Sequence, residues 1–182
     1  MKINVSIGHS SKDKGAVTKD ESFSEYEFNS LLAQTLKELL IKEGFNVIVT
    51  NRLTDGGGTG MTADVRAINS TDADISVELH CNAFNNETGG CETLYWHKSV
   101  SGKKLAQSIQ NEMVSALGNN NRGIKPINSK GRGGTVLRDT KMPMVITEPF
   151  FIDNPKDFSN GVNKIDKLAL AITRGIKFYF CS

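Results

Sequence analysis

The sequence predicts an α/β fold, a single-domain sandwich of a mostly parallel (mixed) twisted sheet with helices on both faces. Three observations carry this reading. Short β-rich runs alternate along the chain with segments of helical apolar period. The length of 182 residues suits one domain with its own core. No internal repeat, low-complexity tract or linker interrupts it, so residues 1–182 read as one domain with no second module.

Lys2–Ile7 alternates apolar and polar residues and then meets Gly8 and a polar loop, which predicts the first strand. A helix follows, opened by the capping box Ser24-Glu25-Tyr26-Glu27. Its stripe is Phe28, Leu31, Leu32, Leu36, Leu39 and Leu40, and Gly44 ends it. Residues 45–50 are β-branched and predict a strand returning beside the first. The glycine-rich run 55–60 reads as a surface loop, because no Gly-Lys-Ser/Thr follows it to make a phosphate cradle. Residues 62–71 predict a short helix, 74–80 a strand, and Cys91–Trp96 another. Residues 102–117 are amphipathic through Leu105, Ile109, Met113 and Leu117, with Gly118 as stop. Residues 135–137 read as a short extended piece and 143–151 as an apolar strand. A last helix carries Val162, Ile165, Leu168, Ala169, Ile172 and Ile176.

Composition excludes several classes of function. A formal net charge of +2 with no block of like charge gives no field for nucleic acid. No apolar run approaches the ~20 residues needed to insert across a membrane. Cys81, Cys91 and Cys181 are an odd count without CxxC spacing, which argues against a disulfide framework and a cysteine-only zinc site. The first 20 residues lack the features of a signal peptide, so the chain is expected to be made in the cytoplasm.

In open α/β sheets, sites form beyond the carboxyl ends of the strands. His9, His80 and Glu148 fall at or near the ends of three separate strand segments, hence at one predicted edge. Imidazole is the commonest metal ligand, although a lone histidine near a strand end is also an ordinary structural residue. Glu25 shares a helical face with Phe28, Asn29 and Leu32, which turns a carboxylate inward. That placement fits a metal ligand, and equally a charge favoured at a helix N-terminus. Glu78 shares the face of His80 and reads as an orienting partner or a cross-strand charge. His97 reads as a structural or groove residue. Cys81 invites a cysteine–histidine mechanism, but neighbouring strand residues diverge, which separates it from His80.

Ordered motifs then point to a family. His9 is followed by a loop ending Gly15-Ala16, and Glu25 stands four residues before Asn29. Arg66, Asn69, Ala73-Asp74 and His80-Cys81-Asn82-Ala83 follow, then Gly90 to Tyr95 as Gly-x-Glu-x-x-Tyr, and Arg122 to Lys125. Val136 to Thr140, Pro143, and Glu148 to Asp157 close the series. The chain resembles the zinc N-acetylmuramoyl-L-alanine amidases of the amidase-3 type, from Lys2 to the final helix. It departs from them at Ser10-Ser11, where the family often carries two glycines.

The resemblance implies one Zn²⁺ held by His9, Glu25 and His80, with Glu148 as catalytic general base and then acid. Asn82, Glu92 and Arg138 are implied groove residues or supports just behind the groove, Arg138 being equally readable as an ion-pair partner. The substrate implied is peptidoglycan, cut between N-acetylmuramic acid and L-alanine. A phage or prophage endolysin, released by a holin to the cell wall, is the expected setting. The alternatives are a non-catalytic wall-binding module of the same fold and a zinc carboxypeptidase acting on the stem peptide.

Overall fold

The computed structural model describes residues 1–52 and 60–181. The predicted glycine-rich loop therefore lies, apart from Gly60, outside the described residues. Strands β1 (Lys2–Ile7), β2 (Asn46–Asn51), β3 (Ile75–Leu79), β4 (Cys91–Trp96), β5 (Asn121–Ile127) and β6 (Met144–Glu148) form one sheet. Its order is β2-β1-β3-β6-β4-β5. β2, β1, β3 and β6 run parallel, whereas β4 runs against β6 and parallel to β5. The sheet is thus mixed and mostly parallel, as the sequence predicts, and the carboxyl ends of β1, β3 and β6 share one edge. β4 starts at that edge because it runs the other way.

Helices α1 (Glu25–Lys42), α3 (Val100–Leu117) and α6 (Ile165–Cys181) cover one face; α2 (Met61–Asn69) and α4 (Gly134–Asp139) cover the other, and α5 (Pro155–Val162) precedes α6. The sorting follows from strand alternation. Ile3, Val5 and Ile7 of β1 and Ile75, Val77 and Leu79 of β3 join Phe28, Leu32, Leu36, Leu105, Ile109 and Ile172 in the larger core. Leu94 and Ile146 point the other way and pack with Ile68, Val136 and Leu137. None of the described helices is long and apolar enough to cross a membrane.

Local chemistry fixes the element that delivers Glu25. Ser24 accepts from the Glu27 backbone N–H, and the Glu27 side chain accepts from the Ser24 N–H at 2.8 Å, completing the expected capping box. Phe28, Leu32, Ala33, Leu36 and Leu40 bury one face of α1, while Leu31, expected in the stripe, is half exposed.

Four expectations need correction. Residues 135–137 belong to helix α4, whose Gly133 lead-in has φ 69° and whose Val136 and Leu137 seat in the smaller core. Tertiary burial here overrides a β-branched Thr-Val pair. β5 was not foreseen, because Gly123 and Pro126 interrupt its pattern; Pro is tolerated on an edge strand. The helix expected from Val162 is two helices. Asn154 caps α5, accepting from Lys156 and Asp157 N–H, and the chain re-enters α6 only at Ile165. The strand expected over 143–151 ends at Glu148.

Candidate metal centre and catalytic carboxylate

Sheet register assembles the site. Ile7 lies opposite Leu79 and Leu79 opposite Thr147, so the next positions, Gly8, His80 and Glu148, meet across three strands. Two backbone bonds lock this alignment, Gly8 N–H to Leu79 C=O at 2.9 Å and His80 N–H to Thr147 C=O at 3.0 Å. Gly8 cannot be larger, because a Cβ there would stand 2.5 Å from His80 Nε2. His9 follows in the left-handed region at φ 68°, an uncommon conformation for a residue with a side chain.

Glu25 enters from the first turn of α1. Its Oε1 lies 2.7 Å from His80 Nδ1 and its Oε2 3.3 Å from His9 Nε2. The carboxylate is further fixed by Cys81 N–H on Oε1 at 2.9 Å and Ala16 N–H on Oε2 at 3.0 Å. Gly15, at φ 74°, gives the loop room, since a Cβ would stand 2.6 Å from both Glu25 Oε2 and the His9 ring. The motif glycine before Ala16 thus has a steric cause.

Three donors, two imidazoles and one buried carboxylate, offer ligand atoms all within 4.8 Å of one another. Among the described residues this is the one such grouping. Burial by itself would raise the Glu25 carboxyl, but its bonds to His80 and His9 outweigh that and hold it well below the ordinary carboxylate range. Burial likewise opposes charge on His80, yet Glu25 and Glu78 raise the imidazole well above its usual value. The pocket is built to hold positive charge between these groups. Two histidines and a carboxylate are also the donor types and count of a catalytic zinc site with an open position. The residues fit the ion.

Glu148 faces the same cavity, of about 540 Å³, which His9, Glu25, His80, Arg132 and Val136 also line. Burial pushes the Glu148 carboxyl from its ordinary 4.5 up to about 7, against the pull of Arg132 and His80. Its Oε1 receives Arg132 at 3.1 Å, whereas its buried Oε2 has no hydrogen-bond partner.

Arg132 is a residue that sequence reasoning missed. Flanking glycines 131 and 133 give it no periodic signal. It joins three groups, Glu148, Asn82 Oδ1 at 3.0 Å and Glu92 Oε1 at 3.3 Å. The antiparallel register puts Glu92 directly opposite Glu148, a like-charge pair that is unfavourable by itself. Arg132 bridges the pair, and Arg122 Nε adds a second contact to Glu92 at 2.7 Å. Asn82 and Glu92 do not line the cavity; bonded to each other at 2.9 Å, they form the support behind Arg132. Arg138, expected in the groove, is not on the cavity wall. It is exposed and pairs with its neighbour Asp139 at 2.6 and 2.8 Å, because the helical turn of α4 carries it outward.

The remaining candidates also have places. Glu78 Oε1 lies 3.1 Å from His80 Nε2, so it orients the imidazole. His97 packs edge-on against Trp96 and is not on the cavity wall. Cys81 is buried, its thiol raised by that burial and by Glu25, and it contacts Asn29 Oδ1 at 3.7 Å. A buried thiol held in its protonated form is a poor nucleophile, which removes the main ground for a cysteine mechanism.

Known proteins resemble the chain in sequence and in fold. The chain is 30% identical over 178 residues to a probable cell wall amidase, LytH, of Staphylococcus epidermidis, covering 96% of this chain and 57% of that protein. It thus spans little more than half the length of that relative. The crystal structure of N-acetylmuramoyl-L-alanine amidase from Clostridium difficile 630 superposes with a TM-score of 0.86 at 30% identity, covering 100% of this chain and 97% of the other. The CwlD amidase from Clostridioides difficile, solved in complex with the GerS lipoprotein, gives 0.87 at 28% identity, covering 99% and 98%. Residues 3–178 match the family described as N-acetylmuramoyl-L-alanine amidase, and the chain belongs to that family.

Proposed function

We propose that the chain is a zinc-dependent hydrolase of bacterial cell-wall peptidoglycan, cutting the amide between the lactyl group of N-acetylmuramic acid and L-alanine. The observation that carries it is the convergence of His9, Glu25 and His80 on one cavity with a buried, proton-hungry Glu148. Zinc held by the three ligands would polarise the scissile carbonyl and lower the pKa of an attacking water to ~7.

Glu148 is the proton carrier. Arg132 fixes Oε1, leaving Oε2 to take the proton of the attacking water and then deliver it to the departing L-alanine nitrogen. Burial raises this carboxyl in the metal-free protein, and a raised carboxyl takes up a proton and returns it more readily near neutral pH than one at its ordinary value. Asn82 and Glu92 act on substrate only through Arg132, which they hold against the cavity. Apolar Leu94, Val136 and Ile146 on the wall help exclude water.

Zinc stoichiometry and the products of wall digestion test the reading. One zinc per chain, free lactyl groups on muramic acid and new L-alanine amino termini are expected, with Glu148→Ala inactive but still loaded with zinc. Release of D-alanine would instead indicate a carboxypeptidase, and wall binding without release a non-catalytic module. Undiminished lysis by Glu148→Ala would remove Glu148 from its role. On the endolysin reading, co-expression with a holin turns an accumulated enzyme into lysis; lysis without a holin favours a bacterial autolysin.

A further inference from the structure

The two candidate histidine ligands each have an outer neighbour from a different part of the chain. Asp13 Oδ2, in the loop after β1, lies 3.5 Å from His9 Nδ1, an ion-pair distance without hydrogen-bond geometry. Glu78 Oε1, on β3, lies 3.1 Å from His80 Nε2. Arg52, one residue beyond β2, connects them. Its Nη1 donates to Asp13 Oδ2 at 3.1 Å and its Nε to Asp64 Oδ2 at 3.3 Å. Asp64 is wholly buried on α2, where it accepts from Ser6 Oγ at 3.4 Å, and its carboxyl lies close enough to that of Glu78 for the two like groups to oppose each other, which Arg52 offsets. A series of neighbouring groups therefore runs His9, Asp13, Arg52, Asp64, Glu78, His80, hydrogen-bonded from Asp13 to Asp64 and from Glu78 to His80 and joined elsewhere by charge; Glu25 closes it by touching both imidazoles.

The joint requires arginine. A guanidinium carries donors on separate edges of a rigid plane and reaches two carboxylates in different directions at once. An ammonium is a compact point charge that cannot hold both in fixed geometry. Arg52 also lines the cavity wall, with only 13% of its side chain exposed, so its aim is set by packing as well as by charge.

We propose that Arg52 is a positioning residue that sets zinc affinity by coupling the outer partners of His9 and His80. The proposal rests on the zinc site proposed above. Outer partners orient metal ligands, and losing one costs ~10–100-fold in metal affinity. Removing Asp13 disturbs one histidine; removing Arg52 frees Asp13 and also leaves the like pair Asp64 and Glu78, behind the other histidine, without its compensating charge.

The test measures the zinc dissociation constant of the metal-free protein by competition with a chromophoric chelator, beside its thermal melting. Wild type, Arg52→Met, Arg52→Lys, Asp13→Asn and Glu25→Ala are compared. Arg52→Met and Arg52→Lys are each expected to bind zinc ~10–100-fold more weakly, with the metal-free melting temperature of Arg52→Lys near that of wild type. The effect of Asp13→Asn should largely vanish in the Arg52→Met background, because the coupling is already gone. Should Arg52→Met not fold, Arg52→Lys alone decides the question. Zinc affinity within about twofold of wild type overturns the proposal, as does a loss matched by an equal fall in metal-free stability, the mark of a merely structural role. Failure of the underlying zinc site looks different: wild type and Glu25→Ala would then bind zinc equally poorly, and both readings fall.

Discussion

The two faces of the sheet are built from the same strands and use alternate residues of them for different ends. Toward α1, α3 and α6, β1 and β3 present Ile3, Val5, Ile75, Val77 and Leu79, packed against Phe28, Leu32 and Leu36. Toward α2, the same strands present Asn4, Ser6, Ser76 and Glu78, all buried. These polar groups pair across strands: Asn4 Nδ2 donates to Ser76 Oγ at 2.9 Å and Asn4 Oδ1 accepts from Thr50 Oγ1 at 3.1 Å. Further along, the row reaches Asp64, Glu78 and His80. Apolar burial, non-directional and cumulative, holds the fold from one side. Directional polar pairing on the other side carries the site, because only hydrogen bonds fix an imidazole to the few tenths of an ångström that ligation demands.

That contrast can be broken experimentally, beginning where the effect is largest. Glu148→Gln keeps the size of the side chain and removes its proton chemistry, so wall hydrolysis should fall ~10²–10⁴-fold with zinc content unchanged. A fall below tenfold would assign Glu148 a lesser task. Phe28→Ala attacks the apolar face, where Phe28 stacks edge-on against Phe150 at 4.7 Å. A loss of about 3–5 kcal/mol in denaturant unfolding is expected, with the zinc affinity of the remaining folded protein unaltered. Weakened zinc binding in folded Phe28→Ala would show that the two faces are not independent.

The pH dependence of stability gives a subtler test. Glu148 binds its proton more tightly folded, at about 7, than at its ordinary 4.5. A group raised in this way makes the metal-free fold lose stability as pH rises from 4.5 through 7. Glu148→Gln cannot titrate, so its advantage over wild type should grow between pH 5 and 8 in urea unfolding of the zinc-free proteins. A constant difference would contradict the raised value. The smaller effects come last. Asn4→Ala strands Thr50 and Ser76 and should cost about 1–3 kcal/mol, and Ser24→Ala removes the cap that aims Glu25, at ~1 kcal/mol. A Ser24→Ala variant that lost zinc without losing stability would show the cap to be a functional device.

Elements with one dominant local cause were legible in the sequence. β1, β4 and α1 appear where period and capping put them, to within a residue. Elements without such a cause were not. β5 carries Gly123 and Pro126, α4 is six residues with a β-branched start, and α5 depends on Asn154 as a cap. The candidate site divides the same way. His9, Glu25, His80 and Glu148 stand at element ends that patterning can place, and the family motifs named them together. Arg132 and Arg52 stand outside the regular elements, where no period marks a residue. Arg138 sits in a recognisable motif and still faces away from the cavity, since its direction depends on how α4 seats over Ile146 and Leu94.

By itself, then, the sequence determined the layered α/β architecture, the helix that brings Glu25 inward and the edge at which the titratable residues gather. Periodicity and capping are local, and each residue carries them regardless of what lies across the sheet. Tertiary structure alone decided which arginine bridges Glu92 and Glu148, that Asp13, Arg52, Asp64 and Glu78 join behind the two histidines, and that Glu148 is raised to about 7. Those properties depend on distance and desolvation among residues up to 123 positions apart (Glu25 to Glu148), and no local pattern encodes them.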